Sequence, residues 1–300
     1  MSDGELVTKS QRPRKGPPAT ADPTLDAVIT AALANESLAG MCDVVAFADF
    51  LRLAWRVLAL DVVSVVAATA ESPDEQRFDT LLEVLRTGVP ALRYDDAIRL
   101  GRAADHLWGR REHFDRKQLS MDAGRHAKLA SSSADKARIL AAVVRFMRVH
   151  SAIEIGTGYG LSALYLCLEL AADGRIATVE ISEPQSSIAS ELLSADERVQ
   201  ALKGWSGEVA GEVAAIVGTR AQLLFHDGGH SYDRIVADFA TYCELLPAGA
   251  VIVVDDIRWD DPDFFDGPAR TYEGWLAITH DPRVRSAVEL NGCYGLLQLR

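Results

Sequence analysis

The sequence contains few cysteines and no long apolar run, and both absences limit the classes of protein that it can represent. Its four cysteines lie far apart and form no Cys-x-x-Cys pair, so neither a disulfide framework nor a cysteine zinc site is expected. The most apolar stretch, 57–70, contains Asp61 and is shorter than the roughly 20 residues that span a bilayer. The N-terminus lacks the apolar segment of a secretory signal. We therefore expect a cytoplasmic protein without a membrane partner.

Basic residues are also comparatively few. The 300 residues include 31 Lys and Arg against 43 Asp and Glu, which gives a formal net charge of −12. An acidic chain repels phosphate backbones, so no nucleic-acid partner is expected, whereas small neutral or cationic substrates remain open. Hydrophobic residues make up 48% and charged residues 25%, as in ordinary globular proteins, which excludes a fibrous or wholly disordered chain.

Composition and periodicity divide the chain into three segments. Residues 1–23 mix Pro, Gly, Ser, Lys and Arg with almost no apolar residue, which predicts a disordered tail. Residues 24–118 show helical periodicity and no alternating strand pattern, so we expect an all-helical region that serves as a lid or a dimer interface. Residues 119–300 differ in texture and carry every motif with chemical meaning.

In this third segment short β-like runs alternate with helical stretches, which predicts right-handed βαβ units around a parallel sheet. Two further runs, 284–290 and 294–299, are joined through Asn291-Gly292 and should pair as an antiparallel hairpin. The expected fold class is α/β, with a Rossmann-like, doubly wound, mostly parallel sheet that ends in this hairpin. The preceding strand runs are 152–155, 176–180, 199–202, 222–226 and 250–254.

A glycine-rich loop follows the first of these strands. Gly156, Gly158 and Gly160 differ in spacing from the dinucleotide pattern, but glycines here let a ligand approach the backbone at a helix N-terminus. Glu180 ends the next strand, 20 residues after Gly160, at the usual reach of an acid that binds ribose hydroxyls. Glu154, on the strand before the loop, suits a ligand with a positively charged amino-acid end.

These residues resemble a known enzyme family. The sequence from Glu154 to Gly160, E-I-G-T-G-Y-G, is similar to the first motif of class I S-adenosylmethionine-dependent methyltransferases, in the O-methyltransferase branch with the catechol and caffeoyl-CoA enzymes. The acidic end of 176–180 is similar to their second motif, and 204–207 stands where that family lines the adenine. The motif D-D-I-x-W at 255–259 resembles a bacterial group of small-molecule methyltransferases. The resemblance covers about residues 120–300.

The resemblance implies S-adenosylmethionine as the cofactor and a hydroxyl of a small metabolite as the methyl acceptor, in natural-product tailoring. A homodimer is also expected, because the amphipathic helices of residues 24–118 need a partner surface. The residues expected to bind the cofactor are Glu154, Gly156, Thr157, Gly158, Tyr159, Gly160, Ser162, Glu180, Trp205, Ser206 and Asp227.

Three acids form a second group. Asp227 and the pair Asp255-Asp256 each follow an apolar strand, at the strand ends where open α/β sheets bind ligands. Carboxylates that converge repel one another unless a cation compensates, and oxygen ligands suit Mg²⁺ or another divalent cation. The resemblance to metal-dependent sugar O-methyltransferases implies the same role, so all three are expected metal ligands. The chain departs from the catechol-type pattern, with Asp-Asp as the final pair and Gly229-His230 at the lysine position. The alternative is a hydrogen-bonding role without a metal.

His230 follows Asp227 by three residues and can accept a proton near neutral pH. His230 or Asp227 is therefore the expected catalytic base, with a structural histidine as the alternative; His226 is expected to be buried and hydrogen-bonded. Two other functions remain open, namely metal-independent N- or carboxyl-methylation and a non-catalytic scaffold that kept the fold. Sensitivity to a chelator distinguishes the first of these, and transfer of labelled methyl groups distinguishes the second.

Overall fold

The computed structural model describes residues 44–116, 119–130, 133–259 and 268–300. The expected tail, 1–23, lies outside these residues. The helices are α1 (Val44–Trp55), α2 (Pro73–Thr87), α3 (Tyr94–Trp108), α4 (Ala123–Ala130), α5 (Ala134–Met147), α6 (Leu161–Leu166), α7 (Glu183–Leu193), α8 (Ala210–Val217), α9 (Tyr232–Cys243) and α10 (Thr271–Thr279). The strands are β1 (Val62–Val66), β2 (His113–Arg116), β3 (Leu119–Asp122), β4 (Ser151–Ile155), β5 (Arg175–Glu180), β6 (Val199–Lys203), β7 (Leu223–His226), β8 (Val251–Val254), β9 (Val284–Leu290) and β10 (Tyr294–Leu299).

The main sheet has eight strands in the order β1-β9-β10-β8-β7-β4-β5-β6. Strands β8, β7, β4, β5 and β6 are parallel, and β10 pairs antiparallel with both β8 and β9. The predicted doubly wound sheet with its antiparallel hairpin is confirmed. The chain moves outward from β4 through β5 to β6 and then returns to the other side of β4 at β7. The carboxyl ends of β4 and β7 therefore form the switch point where such sheets bind ligands.

Residues 24–118, as far as the structure describes them, are not all helical as predicted. Strand β1 lies at the edge of the main sheet and pairs antiparallel with β9, and β2 and β3 form a separate hairpin. The run Val62–Val66 lies in sequence of helical periodicity, and its pairing partner lies more than 200 residues later in the chain, so no neighbouring residue marks it as a strand. Helices α1, α2 and α3 agree with the helical prediction for their part of the region.

Apolar side chains of alternate strand positions point to opposite faces of the sheet. Leu223 and Phe225 of β7 pack with helices α1 to α7, whereas Leu224 packs with α8, α9 and α10. The N-terminal helices therefore share one continuous core with the sheet and do not form a separate unit.

Two buried arginines fasten this N-terminal region to the rest of the fold. Arg138, on α5, is 1% exposed, and its guanidinium donates to the carbonyl oxygens of Pro90, Arg56 and Val89. Arg285, on β9, is 2% exposed and lies 3.3 Å from a carboxylate oxygen of Asp79 on α2. Both guanidiniums thus have hydrogen-bond or ion-pair partners among residues that precede α4 in the chain.

Candidate functional site

The glycine loop after β4 lies at the switch point of the sheet. Gly156 adopts φ +92°, and a Cβ there would lie 2.1 Å from the carbonyl oxygen of Asp227, so the loop can approach the end of β7 only with glycine. Gly158 adopts φ +53°, and its missing Cβ points into open space, with the Gln185 side chain 4.0 Å away as its nearest neighbour. The loop therefore offers a ligand an accessible backbone surface at Gly158.

The carboxylate of Glu180 joins the loop to the end of β5. One oxygen accepts a hydrogen bond of 2.8 Å from the backbone N–H of Gly158, and the other accepts one of 2.8 Å from the N–H of Ser182. The side chain is thus fixed beside the open space at Gly158, and its role as a ribose ligand stays a prediction.

Other predicted cofactor residues are buried with their side chains bound to the protein. The Thr157 hydroxyl bonds the hydroxyl of Thr178, and the Tyr159 hydroxyl lies 2.8 Å from Nδ1 of His126 on α4. Ser162 is 5% exposed. These side chains stabilise the loop from its buried side. The surface that the loop exposes to a ligand is therefore mainly backbone.

Glu154 lies beneath the loop and is fully buried. One carboxyl oxygen accepts a hydrogen bond from the Thr178 hydroxyl, and the other has no hydrogen-bond partner among the described residues. Burial raises the pKa of Glu154 to about 7, because the charged form is poorly solvated there. A positively charged group near the loop would favour the ionised form.

The cofactor-free wild-type protein is expected to lose stability as the pH rises, because Glu154 ionises. Replacement of Glu154 by glutamine should remove this pH dependence. The pKa in the folded state, about 7, exceeds the ordinary 4.5, so folded wild type loses stability as the pH rises between these values and levels off above them. Glutamine cannot ionise, so the stability of Glu154→Gln does not fall in this way. Between the low and the high end of that pH range, the free energy of unfolding of the variant should rise by about 3 kcal/mol relative to that of wild type. Urea unfolding of both proteins at a pH below 4.5 and a pH above 7 measures this change. If the free energies of unfolding of the two proteins differ by the same amount at both pH values, the prediction is wrong.

The predicted acids lie at the ends of β7 and β8, and a lysine lies between two of them. The ammonium of Lys136, in the first turn of α5, is 2.6 Å from Oδ2 of Asp227 and also donates to Oδ2 of Asp255. The side chains of Lys136, Asp227 and Asp255 are 6%, 19% and 7% exposed. We call these three residues the lysine–aspartate centre.

Mutual interaction sets the protonation of this centre. Burial would lower the pKa of Lys136, but the charges of Asp227 and Asp255 outweigh it and raise that pKa. Burial raises the pKa of Asp227. Burial also acts to raise the pKa of Asp255, but the charge and the hydrogen bond of Lys136, together with a hydrogen bond to Asp227, outweigh burial and lower that pKa. The lysine is therefore charged, and Asp255 is the more acidic of the two carboxyl groups.

The divalent metal site predicted for Asp227, Asp255 and Asp256 is not formed in this arrangement. Asp256 is exposed and adopts φ +50°, and no three His, Cys, Asp or Glu side chains within the described ranges are placed to hold a metal ion. The converging carboxylates of Asp227 and Asp255 are compensated by a positive charge, and Lys136 supplies it. The two inner carboxylates already bind its ammonium, so the donor set does not fit a resident metal.

His230 borders the lysine–aspartate centre. Its Nε2 lies 3.7 Å from Oδ1 of Asp227, and its ring meets Trp259 edge-on at 5.1 Å between centroids. Burial lowers the pKa of His230 to about 4, so the imidazole is neutral at pH 7. Nε2 of His230 and Oδ1 of Asp255 are buried without a hydrogen-bond partner among the described residues. Buried polar groups without partners are uncommon and mark a place where a ligand can bind.

The loop after β6 presents one open aromatic side chain. Trp205 is 46% exposed, and the Arg234 guanidinium lies 4.2 Å from its ring centre. The neighbouring Ser206 is buried and donates to Asp238, whose other oxygen lies 3.0 Å from Nε2 of His226. The prediction that His226 is a buried, hydrogen-bonded histidine is confirmed.

Sequence reasoning missed Lys136. It precedes Asp227 by 91 residues and Asp255 by 119, so no local motif connects the three. One signal was present, because Lys136 shares a helix face with Leu140 and Val143 at the i, i+4, i+7 spacing of a buried stripe. A lysine on such a face must bury its charge and find acidic partners.

Comparison with known proteins concerns the segment that carries this site. Residues 153–257 match the sequence profile of a family described as a methyltransferase domain, which confirms the resemblance seen in the motifs. No curated protein matches the sequence. Among the described helices, none combines the length and apolar character needed to cross a membrane.

Solved structures are similar to the chain at low sequence identity. Cofactor-bound Rv0187 from MTB is 19% identical with a TM-score of 0.51, and the likeness covers 77% of this chain and 99% of that one. An O-methyltransferase from Bacillus cereus in complex with SAH is 21% identical, with 58% and 86% coverage and a TM-score of 0.48. The SAH-bound methyltransferase PaMTH1 of Podospora anserina is 16% identical, with 78% and 100% coverage and a TM-score of 0.49. The first of these likenesses supports the fold.

Proposed function

We propose that this chain, which carries a class I S-adenosylmethionine-dependent methyltransferase domain with the matched segment 153–257, transfers the methyl group to a hydroxyl oxygen of a small molecule. The observation that carries the proposal is the pair of unpartnered buried atoms, Nε2 of His230 and Oδ1 of Asp255, beside the glycine loop. Natural-product tailoring is the context that we propose from the resemblance, and the homodimer stays a prediction.

The cofactor is proposed to bind across the carboxyl ends of β4 and β5. Gly158 faces open space, so the amino-acid part of S-adenosylmethionine can lie against the backbone there. Its ammonium group would act on Glu154 through its charge, because Glu154 is buried beneath the loop. The Glu180 carboxylate, which two backbone N–H groups hold at that edge, is proposed to accept hydrogen bonds from the ribose hydroxyls. The exposed ring of Trp205, after β6, offers a stacking surface for the adenine.

The acceptor is proposed to bind on the β7–β8 side of the cofactor. A hydroxyl placed between His230 and Asp255 can donate to one of these acceptor atoms as its oxygen attacks the methyl carbon. In that step the oxygen–carbon bond forms, the carbon–sulfur bond breaks with its electron pair left on sulfur, and the hydroxyl proton passes to Nε2 of His230. The neutral imidazole has a free lone pair for this proton, but burial lowers its pKa to about 4, so it binds the proton weakly and depends on the charge of Asp227 beside it. The products are the methyl ether and S-adenosylhomocysteine.

Two features support a small acceptor. Asp227 has the most exposed side chain in the lysine–aspartate centre, at 19%, so access from solvent is narrow. The net charge of −12 disfavours polyanionic substrates.

Labelled S-adenosylmethionine tests the proposal directly. The protein is incubated with the methyl-labelled cofactor and separate panels of catechols, sugars, amines and carboxylic acids, and labelled products are resolved by chromatography. Label in an ether of a hydroxyl compound is the expected result. Label confined to amines or carboxylates would replace O-methylation by the metal-independent alternative, and no label in any panel, with no cofactor binding, would overturn the proposal.

Gly158→Val is expected to weaken cofactor binding because the new side chain fills the open space at the loop. We expect the affinity for S-adenosylmethionine to fall at least about tenfold, or about 1.4 kcal/mol, in isothermal titration calorimetry. Gly218→Val is the matched control, since Gly218 also has a positive φ, +71°, with no atom within 4 Å of its Cβ position, and it lies beyond α8. Both variants carry backbone strain, so equal losses of affinity would contradict the assignment of the loop.

A further inference from the structure

The lysine–aspartate centre has a charge arrangement that bears on how the acceptor oxygen is activated. Two carboxylates at adjacent strand ends surround one ammonium group, and Lys136, Asp227 and Asp255 are all largely buried. Phe225 lies beneath the ammonium, with its ring centre 5.0 Å from Nζ. The cation is therefore held by two strands and a helix, close to the unpartnered atoms of His230 and Asp255.

An ammonium in this position can do more than neutralise the two acids. It has three N–H donors, and two of them are directed at Asp227 and Asp255. No third acceptor for Nζ is found among the described residues. The remaining N–H is thus available to the oxygen of a molecule that enters beside His230.

We propose that Lys136 takes the part that a divalent cation plays at such a carboxylate site, so that methyl transfer by this chain needs no metal ion. The inference rests on the proposed function. The remaining N–H of Lys136 donates to the acceptor oxygen and stabilises the negative charge that builds up as the proton leaves for His230. Asp227 and Asp255 hold the ammonium in place, as they would hold a metal ion.

The arrangement predicts that removal of the ammonium creates a metal site. In Lys136→Ala two carboxylates remain side by side without a compensating charge, and hard oxygen donors of this kind bind Mn²⁺. Wild type should bind no Mn²⁺ at this place, because the ion would have to displace a buried ammonium. The double variant Lys136→Ala with Asp255→Asn should lose the site again.

Electron paramagnetic resonance of free Mn²⁺ measures this without any acceptor. With S-adenosylhomocysteine present, we expect no bound Mn²⁺ in wild type, one in Lys136→Ala and none in the double variant. Methyl transfer by chelator-treated wild type should equal that of untreated protein, whereas Lys136→Ala should be slower by on the order of 10²-fold and should regain at least tenfold with Mn²⁺. Lys136→Arg, which keeps the charge, should retain more activity than Lys136→Ala.

Each opposite result overturns the inference. One Mn²⁺ bound by wild type and lost in Asp255→Asn, or transfer lost on chelation, would show that the site holds a metal after all. A folded Lys136→Ala that keeps full transfer, or that neither binds Mn²⁺ nor responds to it, would leave Lys136 with a structural role only. The wild-type titration and chelation decide the matter if Lys136→Ala does not fold. Absence of transfer from wild type to every acceptor refutes the proposed function instead, since the Mn²⁺ titration is independent of turnover.

Discussion

Methyl transfer by Asp255→Asn is expected to be slower than that of wild type by on the order of 10²-fold. Asp255 fixes the Lys136 ammonium through one oxygen and leaves the other without a partner beside His230. Asparagine removes the charge, so the ammonium shifts toward Asp227 and the acceptor oxygen loses its alignment. Single-turnover transfer of labelled methyl groups measures the rate.

Asp256→Asn is the matched control for this variant. Asp256 is the next residue in the chain, but its side chain is exposed, and the rate should stay within about twofold of wild type. Cofactor affinity should be unchanged in both variants, because Gly158 and Glu180 lie on the other side of β4. An equal loss of rate in the two variants would contradict the assignment of Asp255 as the functional acid. It would favour a site that uses both Asp255 and Asp256.

Deletion of residues 1–117 is expected to prevent folding of the remaining chain. The deletion removes β1 from the sheet edge and uncovers the apolar face that α1, α2 and α3 cover. It also leaves the guanidiniums of Arg138 and Arg285 without most of their partners. Loss of partners for a buried charge costs about 3–5 kcal/mol, so two such losses rival the roughly 5–15 kcal/mol that stabilise a domain. Solubility after expression and circular dichroism measure the outcome.

Deletion of residues 1–20 is the control, and it should leave the melting temperature unchanged because these residues are polar and rich in Pro and Gly. A soluble, monomeric and active fragment 118–300 would show that the N-terminal region is an independent unit. That result would restore the simpler division of the chain into a helical region and a separate catalytic domain.

The sequence by itself determined the features that arise from neighbouring residues. The alternation of apolar runs with helical stretches predicts β4 to β8 and their parallel pairing, because the period of a strand or helix is local. The turn at Asn291-Gly292 predicts the antiparallel hairpin of β9 and β10. The glycine loop, Glu180 and the acids at the ends of β7 and β8 follow from the same argument, since parallel strands all end at one edge. The motif spacing then indicated the methyltransferase domain before any contact was known.

Tertiary structure alone decided which groups meet at that edge. The first turn of α5 brings Lys136 to two acids that follow it by 91 and 119 residues, so an ammonium stands where the sequence predicted a metal ion. The backbone turn at Asp256 carries that side chain away from its neighbour Asp255. Strand β1 likewise becomes a strand only through its pairing with β9. In each case a contact between residues far apart in the chain, or the cost of a buried charge, decides the structure. The spacing of neighbouring residues encodes neither of them.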